Sequence, residues 1–354
     1  MSRGDLHFPQ RRQHTVTAVV LIAAALCGAA FWVVLAGMRH VLDTPLELTG
    51  KRRFEVPAGA SAASVAQELA ARGWMQHPRI LVWYARWTRK ADHLKAGFYE
   101  LSPGETVRVL LDQIVAGRVM LEQIAIIEGW TYRDLRRALA FTAGVRQTLA
   151  GKSDADVMAA VESAGVHPEG QFFPDTYRFA YGTSDLEILR IAHDRLRAEL
   201  ADAWEKRTPV AVIATPYEAL KLASLVEKES ARAEERRKIA GVYVHRLATG
   251  MRLQADPTVI YGLGERYDGD VRKRDLRTDG PYNTYTRDGL PPTPIALPGR
   301  EALIAATQPL DTGAIFFVAS GAPDGSHYFS STLAEHNAAV RRLLARQRNG
   351  TGSR

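Results

Sequence analysis

Residues 15–38 carry no charged side chain and consist largely of Val, Ala, Leu, Ile and Gly, which constrains this chain more than any other segment. As a helix, a run of this length crosses a bilayer whose hydrocarbon core is about 30 Å thick. It is longer than the apolar core of a cleavable signal peptide, and Leu26 is the wrong neighbour for a lipoprotein cleavage site at Cys27. The sequence therefore predicts an uncleaved transmembrane helix, with a removed signal sequence as the alternative.

Basic residues lie on both sides of this predicted span. Arginines within residues 1–14 favour a cytoplasmic tail there, whereas basic residues at 39 and 51–53 follow the span and weaken the charge argument. No second apolar run returns the chain across the membrane. We therefore expect a linker at 39–50 and then a globular part on a single side of the membrane.

The composition of the remaining chain excludes several classes of site. The single cysteine, Cys27, lies in the apolar run, so the globular part contains no disulfide, no thiolate metal site and no cysteine nucleophile. About 300 residues suffice for one large or two moderate domains. The net charge of +7 suggests nucleic acid, but the basic residues are dispersed and mixed with acids, as in 235–238 and 272–275. We interpret them as solvated faces with a weak attraction to anionic polymers or lipid headgroups.

A unit of short strand, turn and amphipathic helix occurs three times, in residues 53–73, 98–117 and 124–140. In each unit a glycine-containing turn and a Ser or Thr suited to cap a helix separate the two elements. The units are unevenly spaced, which excludes a solenoid of fixed period.

Residues 217–250 contain no proline and end at a glycine, so they predict one continuous helix. The apolar residues that share one face with Glu229 are Leu222, Leu225 and Val226. A carboxyl group at the end of a buried stripe loses hydration, and desolvation raises its pKa toward that of a general acid at neutral pH. Glu229 is therefore the candidate acid, and the alternative is a surface glutamate paired with Arg232 or Arg236.

Two segments after this helix, 253–262 and 282–292, are predicted loops rich in polar and aromatic side chains. Such a mixture suits carbohydrate, because sugar rings offer apolar C–H faces to tyrosine and hydroxyl groups to Asn, Gln and Asp. The clustering is the signal, since each member alone is an ordinary core or turn residue. The candidate substrate-binding residues are Gln254, Asp256, Thr258, Tyr261, Tyr282, Asn283, Thr284, Tyr285 and Leu290.

These motifs resemble those of a known family. The runs ASLVEKESARAEERRKIAGVYVHRL, MRLQADPTVIYGLGERYDG, YNTYTRDGLPPTPIALPG and FFVASGAPDGSHYFSSTLAEHN resemble the endolytic murein transglycosylases, membrane-anchored lytic enzymes of the bacterial cell wall. The resemblance extends upstream through EGQFFPDTYRF and IIEGWTYRDL and covers about residues 50–345. In that family the second acidic position of the motif V-E-K-E-[ST] is taken as catalytic, and here it is Glu229.

The expected fold is α+β, with a single transmembrane helix and two globular parts. The resemblance implies a LysM-like strand-helix module at 51–120, of a type that commonly binds N-acetylglucosamine chains; a spacer that lifts the active site off the membrane is the alternative. It implies a catalytic domain at 121–345 with its acid on a helix. Residues 346–354 are expected to be a disordered tail.

The implied reaction cleaves the β-1,4 bond between N-acetylmuramic acid and N-acetylglucosamine in nascent peptidoglycan and leaves 1,6-anhydro-muramyl ends. A noncatalytic membrane-tethered glycan-binding scaffold is one alternative, and a muramidase with Asp256 as second carboxylate is another. The chain lacks a phosphate loop, a G-x-S-x-G motif and zinc-ligand spacing, so no cofactor or metal is expected. The expected location is the inner membrane, with the N-terminus inside and the catalytic domain periplasmic. The expected partners are glycan strands and, as further candidates, peptidoglycan synthases.

Weaker signals lie outside these motifs. The resemblance suggests that the motif EGQFFPDTYRF supports the cleft through Glu169, Asp175 and Tyr177; a helix-to-strand junction with a capping aspartate is the alternative. Trp83, Tyr84 and Trp87 lie at helical spacing and are expected in the core rather than on a sugar-binding surface. His327 and His336 lack nearby ligands in sequence, so we expect structural roles for them.

Overall fold

The computed structural model describes residues 10–351, and the side chains of residues 18–348. Helices and short two-stranded sheets together confirm the expected α+β class. The chain forms two compact units. The first extends to Leu121 and includes Ala180–Gly182, and the second comprises Glu122–Phe179 and the residues from Thr183 onward.

The first helix, α1 (Gln10–Asp43), is the candidate membrane anchor. Its part Ala18–Asp43 is the one segment within the described residues that is long and apolar enough to cross a membrane. Of the predicted tail at 1–14, residues 10–14 belong to this helix and 1–9 lie outside the described residues. The helix passes its predicted end at residue 38 and enters the predicted linker, because Leu42 packs into the core of the first unit.

The first unit packs helices against one antiparallel pair of strands. Its further elements are β1 (Arg52–Val56), α2 (Ala62–Ala71), α3 (Pro78–Trp87), a 3-10 helix (Ala91–His93), β2 (Gly97–Leu101) and α4 (Val107–Ala116). Phe54 on β1 lies opposite Tyr99 on β2, and both rings are fully buried. Leu69 and Ile114 from the flanking helices complete this core.

The aromatic residues of α3 were only partly predicted. Tyr84 is buried, but Trp83 and Trp87 are 46% and 62% exposed, so the prediction that they lie in the core was wrong. Their rings stack on each other with centroids 5.3 Å apart. A short helix on the surface of a unit buries one face only, and two residues four apart share the face that remains outside.

The second unit is mostly helical. Its elements are β3 (Leu121–Ala125), α5 (Tyr132–Phe141), α6 (Asp154–Ala160), β4 (Thr176–Ala180), α7 (Asp185–Glu205), α8 (Pro216–Glu229), α9 (Ala233–Ala248), α10 (Asp256–Leu263), a 3-10 helix (Gly264–Arg266), α11 (Lys273–Arg277), α12 (Arg300–Thr307), β5 (Phe316–Ala319), β6 (His327–Ser330) and α13 (Leu333–Thr351). β3 pairs with β4, and β5 forms an antiparallel hairpin with β6.

The three predicted strand-turn-helix units are confirmed as β1 with α2, β2 with α4, and β3 with α5. Ser61, Thr106 and Thr131 cap the three helices, each accepting a hydrogen bond from a backbone N–H in the first turn. Short-range capping thus explains why sequence alone located these elements.

Helix α8 forms the centre of the second unit. Thr215 and Glu218 make a reciprocal capping box at its start. Leu222 and Leu225 are fully buried, as the periodicity predicted, and α8 packs against α9 and α12. The core therefore holds this helix along most of its length, including the turn before Glu229.

The C-terminal segment differs from the expectation of a disordered tail. Helix α13 continues to Thr351, so residues 346–351 are helical, while 352–354 lie outside the described residues. The sequence Leu-Ala-Arg-Gln-Arg at 344–348 consists of good helix formers and contains no proline.

Candidate active site

The stretch predicted as one helix from 217 to 250 is two helices, and the break follows Glu229 directly. Ser230 has an extended backbone, with φ −143° and ψ 131°, which ends α8. Arg236 Nε donates to the Ser230 carbonyl oxygen at 3.2 Å and satisfies a group that the helix no longer pairs. Glu229 therefore stands in the last turn of α8, where the helix dipole disfavours a negative charge.

One oxygen of Glu229 is enclosed by protein without a hydrogen bond. Oε2 is buried and has no hydrogen-bond partner among the described residues, and the same holds for the hydroxyl of Tyr243. Burial raises the pKa of Glu229 from 4.5 to about 7, while the Tyr243 hydroxyl lowers it, Asp256 raises it and Arg246 lowers it. Near neutral pH this carboxyl group is therefore partly protonated, as a general acid requires.

Tyr243 and Arg246, both on α9, were not identified from the sequence. The Tyr243 ring packs edge-to-face on Phe317, with centroids 5.8 Å apart. The Arg246 guanidinium is buried and donates to the backbone carbonyl oxygens of Leu253 and Ile315. Since these partners are neutral, the positive charge of Arg246 stays available to the carboxyl groups around it. Sequence pattern offered no signal for either residue, because their partners lie on other elements.

Asp256 and Tyr285 form a hydrogen-bonded pair beside the acid. The Tyr285 hydroxyl donates to Asp256 Oδ1. The loop predicted at 253–262 is mostly the helix α10, because Pro257 suits the first turn of a helix. Burial is the main cause of the raised pKa of Tyr285, and the charges of Asp256 and Glu229 add to it. The structure thus brings together three of the predicted residues, Glu229, Asp256 and Tyr285.

Asn283, Thr284 and Thr258 face inward, which corrects their expected role as sugar-binding residues. The Asn283 amide nitrogen donates to three backbone carbonyl oxygens, at 3.1, 3.2 and 2.7 Å. The Thr284 hydroxyl oxygen accepts from the backbone N–H of Ala255 at 3.0 Å and lies 2.9 Å from that of Thr258. All three side chains are buried, because these loops carry backbone groups that need internal partners. They shape the loop walls and leave the tyrosines at the surface.

Glu169 binds Tyr261, which forms a pair with Tyr282 in the predicted tyrosine cluster. Its Oε1 accepts from the backbone N–H of Tyr132 at 2.9 Å, and its Oε2 accepts from the Tyr261 hydroxyl at 3.0 Å. Tyr261 packs edge-to-face on Tyr282, whose hydroxyl lies 2.9 Å from that of Thr293. Burial raises the pKa of Glu169 to about 7, against these two hydrogen bonds. The predicted supporting residue therefore holds an aromatic pair in place.

A cavity of about 430 Å³ lies between this aromatic pair and the end of α8. Its walls include Lys228, Pro257 and Tyr261. Lys228 precedes Glu229 in the chain, and Pro257 follows Asp256. The lining of the cavity thus includes one chain neighbour of each residue of the carboxyl pair.

Four predicted residues take other positions. Gln254 is exposed on a left-handed backbone, with φ 50°, and Leu290 packs against the core. Asp175 accepts from the N–H of the next residue, Thr176, at 2.7 Å, in line with the alternative of a capping aspartate before a strand. The Tyr177 hydroxyl donates to the Phe173 carbonyl oxygen at 2.8 Å. The contacts of Leu290, Asp175 and Tyr177 support the fold rather than a cleft.

A buried ion pair lies behind the end of α8. Arg236 Nη2 donates to Glu227 Oε1 at 3.0 Å, and both side chains are less than 10% exposed. The other oxygen of Glu227 accepts from the Gly299 N–H at 3.0 Å. The alternative prediction paired Arg236 with Glu229, whereas the structure pairs it with Glu227.

The two histidines have local partners. His327 Nδ1 lies 2.7 Å from Glu235 Oε2, and the His336 ring stacks on Phe316 with centroids 5.0 Å apart. Within residues 10–351, no group of three or more His, Cys, Asp or Glu side chains is placed to hold a metal ion.

Comparison with known proteins places this site in a family. The model of the YceG-like family matches residues 54–342. A Bacillus subtilis (strain 168) protein named endolytic murein transglycosylase is 29% identical over 323 residues, which cover 85% of this chain and 88% of that protein. A protein of the same name from Streptococcus pneumoniae serotype 2 (strain D39 / NCTC 7466) is 27% identical over 361 residues, which cover 91% of this chain but only 63% of that protein. The 2.6 Å crystal structure of a YceG-like protein from Listeria monocytogenes is 30% identical and superimposes with a TM-score of 0.50, covering 81% of this chain and 98% of that chain.

Proposed function

The chain belongs to the YceG-like family, and we propose that it acts as an endolytic murein transglycosylase with Glu229 as its catalytic acid and base. Its substrate is the glycan of murein, and the bond that breaks is the β-1,4 bond between N-acetylmuramic acid and N-acetylglucosamine. The observation that carries the role of Glu229 is its buried carboxyl oxygen, which has no hydrogen-bond partner among the described residues, at the end of the packed helix α8.

The reaction needs one carboxyl group in two protonation states. Protonated Glu229 donates its proton to the glycosidic oxygen as the bond from that oxygen to C1 of the muramyl residue breaks. The resulting carboxylate then takes the proton from the C6 hydroxyl of the same sugar, whose oxygen bonds to C1 and closes the 1,6-anhydro ring. Glu229 ends protonated, as it began, and no water is consumed.

The attacking hydroxyl belongs to the substrate, so the enzyme has to hold the ring rather than activate water. Effective molarities for well-oriented intramolecular reactions reach about 10⁵ M or more. Asp256 is engaged by the Tyr285 hydroxyl, which suits a group that orients a neighbour. Since Tyr285 is also half-buried near Glu229, it is the proposed contact for the sugar at the cleaved bond.

The sugar rings next to the cleaved bond have an aromatic surface available. Tyr261 and Tyr282 form a rigid pair held by Glu169 and Thr293, and apolar sugar faces pack well on such rings. Gln254 is exposed beside this region of the chain and contributes a side-chain amide for hydroxyl or acetamido groups. The proposed sugar contacts do not include Asn283, Thr284 and Thr258, because the polar groups of these side chains form hydrogen bonds within the protein.

Helix α1 anchors the enzyme in the inner membrane, with the N-terminus inside and both units on the periplasmic side. An apolar helix whose side chains are exposed in the described protein needs lipid around it. The anchor restricts the enzyme to glycan near the membrane, which is newly made material, and peptidoglycan synthases are the proposed neighbours. The first unit either binds glycan as a LysM-like module or acts as a spacer.

The experiment is mass spectrometry of the sugar ends that the full-length protein in detergent releases from purified murein. Glu229→Gln is the test variant, and Glu265→Gln, an exposed glutamate of the second unit, is the matched control. Anhydro-muramyl ends from the native protein and the control, but not from Glu229→Gln, support the proposal. Reducing ends would instead indicate a hydrolase with Asp256 as second carboxylate. Binding without cleavage by folded protein would indicate a scaffold.

A further inference from the structure

The cavity of about 430 Å³ beside the end of α8 contains more positive than available negative charge. Arg133, Arg137 and Lys228 line it, together with the carboxyl groups of Asp134 and Glu169. Which of these charges are free to meet a ligand decides what the cavity can bind.

Both carboxyl groups accept hydrogen bonds from other groups of the protein. Asp134 Oδ2 accepts from the backbone N–H and the hydroxyl of Thr131 in the capping box of α5. Glu169 uses one oxygen for the Tyr132 N–H and the other for the Tyr261 hydroxyl. Its burial also favours the neutral form, since it raises the pKa to about 7.

The basic groups are much less engaged. Arg137 is exposed and has no ion pair or hydrogen bond among the described residues. Lys228 Nζ donates only to the carbonyl oxygen of Gly129, at 3.2 Å. Arg133 pairs with Glu265 at 3.1 Å, but both side chains are more than half exposed, and such pairs contribute little.

Much of the remaining lining is apolar and aromatic. It includes Pro257, Ile260 and Ile295 with the rings of Tyr261 and Tyr282. A ligand that fits this cavity therefore has aliphatic parts as well as an anionic group, since neither charge nor apolar surface alone covers the lining.

The chain places the cavity next to the proposed chemistry. Lys228 is adjacent to Glu229 in the chain and Pro257 is adjacent to Asp256, so chain neighbours of both carboxyl groups line the cavity, although the carboxyl groups themselves do not. In murein, the muramyl residue whose C1 is attacked carries a lactyl group at O3, and that group bears a short peptide with free carboxylates and aliphatic side chains. The peptide is thus fixed to the same sugar ring that Glu229 must reach.

We propose that this cavity binds the stem peptide of the muramyl residue at the cleaved bond, with Arg137 and Lys228 contacting its carboxylates. The inference rests on the proposed function and defines its substrate further: the enzyme recognises glycan that carries peptides and discriminates against naked glycan. Single contacts between exposed cations and carboxylates are weak, so we expect the two contacts together to discriminate roughly tenfold in kcat/KM.

The test compares two substrates with the full-length protein in detergent. One is purified murein strands with their peptides, and the other is the same strands after an amidase has removed the peptides. The rate of anhydro-end formation is measured by mass spectrometry for the native protein and for the double variant Arg137→Gln/Lys228→Gln. Both side chains are exposed, and a thermal melt verifies that the variant is folded. Arg341→Gln, an exposed arginine on α13, is the matched control.

The native protein and Arg341→Gln should prefer the peptide-bearing strands about tenfold, mostly through a lower KM, and the preference should weaken as salt rises. In the double variant the ratio of the two rates should approach one. Equal rates on both substrates by the native protein, or an unchanged ratio in the folded double variant, would overturn the peptide site while leaving the lytic function intact. Absence of anhydro ends from both substrates would overturn the proposed function itself, and with it this inference.

Discussion

Glu227 and Glu229 lie on opposite sides of the last turn of α8 and have different electrostatic surroundings. Glu227 accepts from Arg236 and from the Gly299 N–H, both at 3.0 Å. Glu229 Oε2 is buried without a partner among the described residues. Because residues two apart on a helix differ by about 200° in direction, one turn supplies both a structural ion pair and a free acid. The ion pair holds the end of the helix, so the acid can be left unpaired.

The pH dependence of cleavage should follow the protonation of Glu229. Burial raises the pKa of this group to about 7, and the protonated form starts the reaction. Activity should therefore be full below pH 7 and fall about tenfold per pH unit above it. The measurement is kcat/KM for anhydro-end formation between pH 5 and 9. Glu169 has a similar pKa, so Glu169→Gln is the control: a retained alkaline decline assigns the decline to Glu229, and its disappearance would contradict this assignment.

Stability should decrease with pH through the same group. The folded-state pKa of Glu229 is about 7 and its ordinary value is 4.5, so between these values the folded state holds a proton that the unfolded state has lost. By linkage, the free energy of unfolding then falls as pH rises through this window, by about 3 kcal/mol at most. Glu229→Gln cannot ionise and should lose this part of the decline. Urea unfolding at pH 5 and pH 8 measures the free energy of unfolding of both proteins. An identical decrease between the two pH values in the native protein and in Glu229→Gln would argue against a neutral buried Glu229.

Tyr243→Phe should move the alkaline decline to higher pH. The Tyr243 hydroxyl favours the ionised form of Glu229, so its removal raises the pKa of the acid further. Within the described residues the hydroxyl lies near Glu229 but outside hydrogen-bonding geometry, so it acts on the carboxyl group as a dipole and its loss should cost little stability. The kcat/KM profile and a thermal melt are measured together. A shift to lower pH would show that the hydroxyl does not act on Glu229 in this way.

Arg236→Met should strongly destabilise the protein. It leaves Glu227 as a buried carboxyl group without its cation and removes the donor to the Ser230 carbonyl oxygen. Breaking one side of a buried ion pair typically costs about 3–5 kcal/mol. The double variant Glu227→Gln/Arg236→Met removes both charges and should recover a large part of the loss in urea unfolding. If the double variant were as unstable as Arg236→Met alone, the uncompensated charge would not be the cause.

Asn283→Asp should destabilise the loop from α11 to Tyr285. The amide donates to three backbone carbonyl oxygens, and a carboxylate can donate to none of them. The expected loss in the free energy of unfolding is about 2–3 kcal/mol, measured by urea titration. Thr286→Ala, on the exposed end of the same loop, is a control with a smaller loss. A raised KM with unchanged stability would instead restore Asn283 as a sugar-binding residue.

Sequence alone determined the features that depend on near neighbours. The apolar run predicted the long apolar helix α1, the spacing of Leu222 and Leu225 identified the buried face that leads to Glu229, and Ser or Thr caps located three helices. Each of these follows from contacts within a few residues of the chain, which a pattern records directly.

Tertiary structure alone decided which polar groups are free and which are used. Asn283 and Tyr285 belong to the same motif. The Asn283 amide donates to backbone carbonyl oxygens of its own loop, whereas the Tyr285 hydroxyl donates to Asp256. Arg236 pairs with Glu227 rather than Glu229 because the chain turns at Ser230. Arg133 and Arg137 of α5 line the same cavity as Lys228 only when α5 and α8 are assembled. Hydrogen bonds and burial depend on partners far apart in the chain, so no local pattern can tell a structural polar side chain from a reactive one.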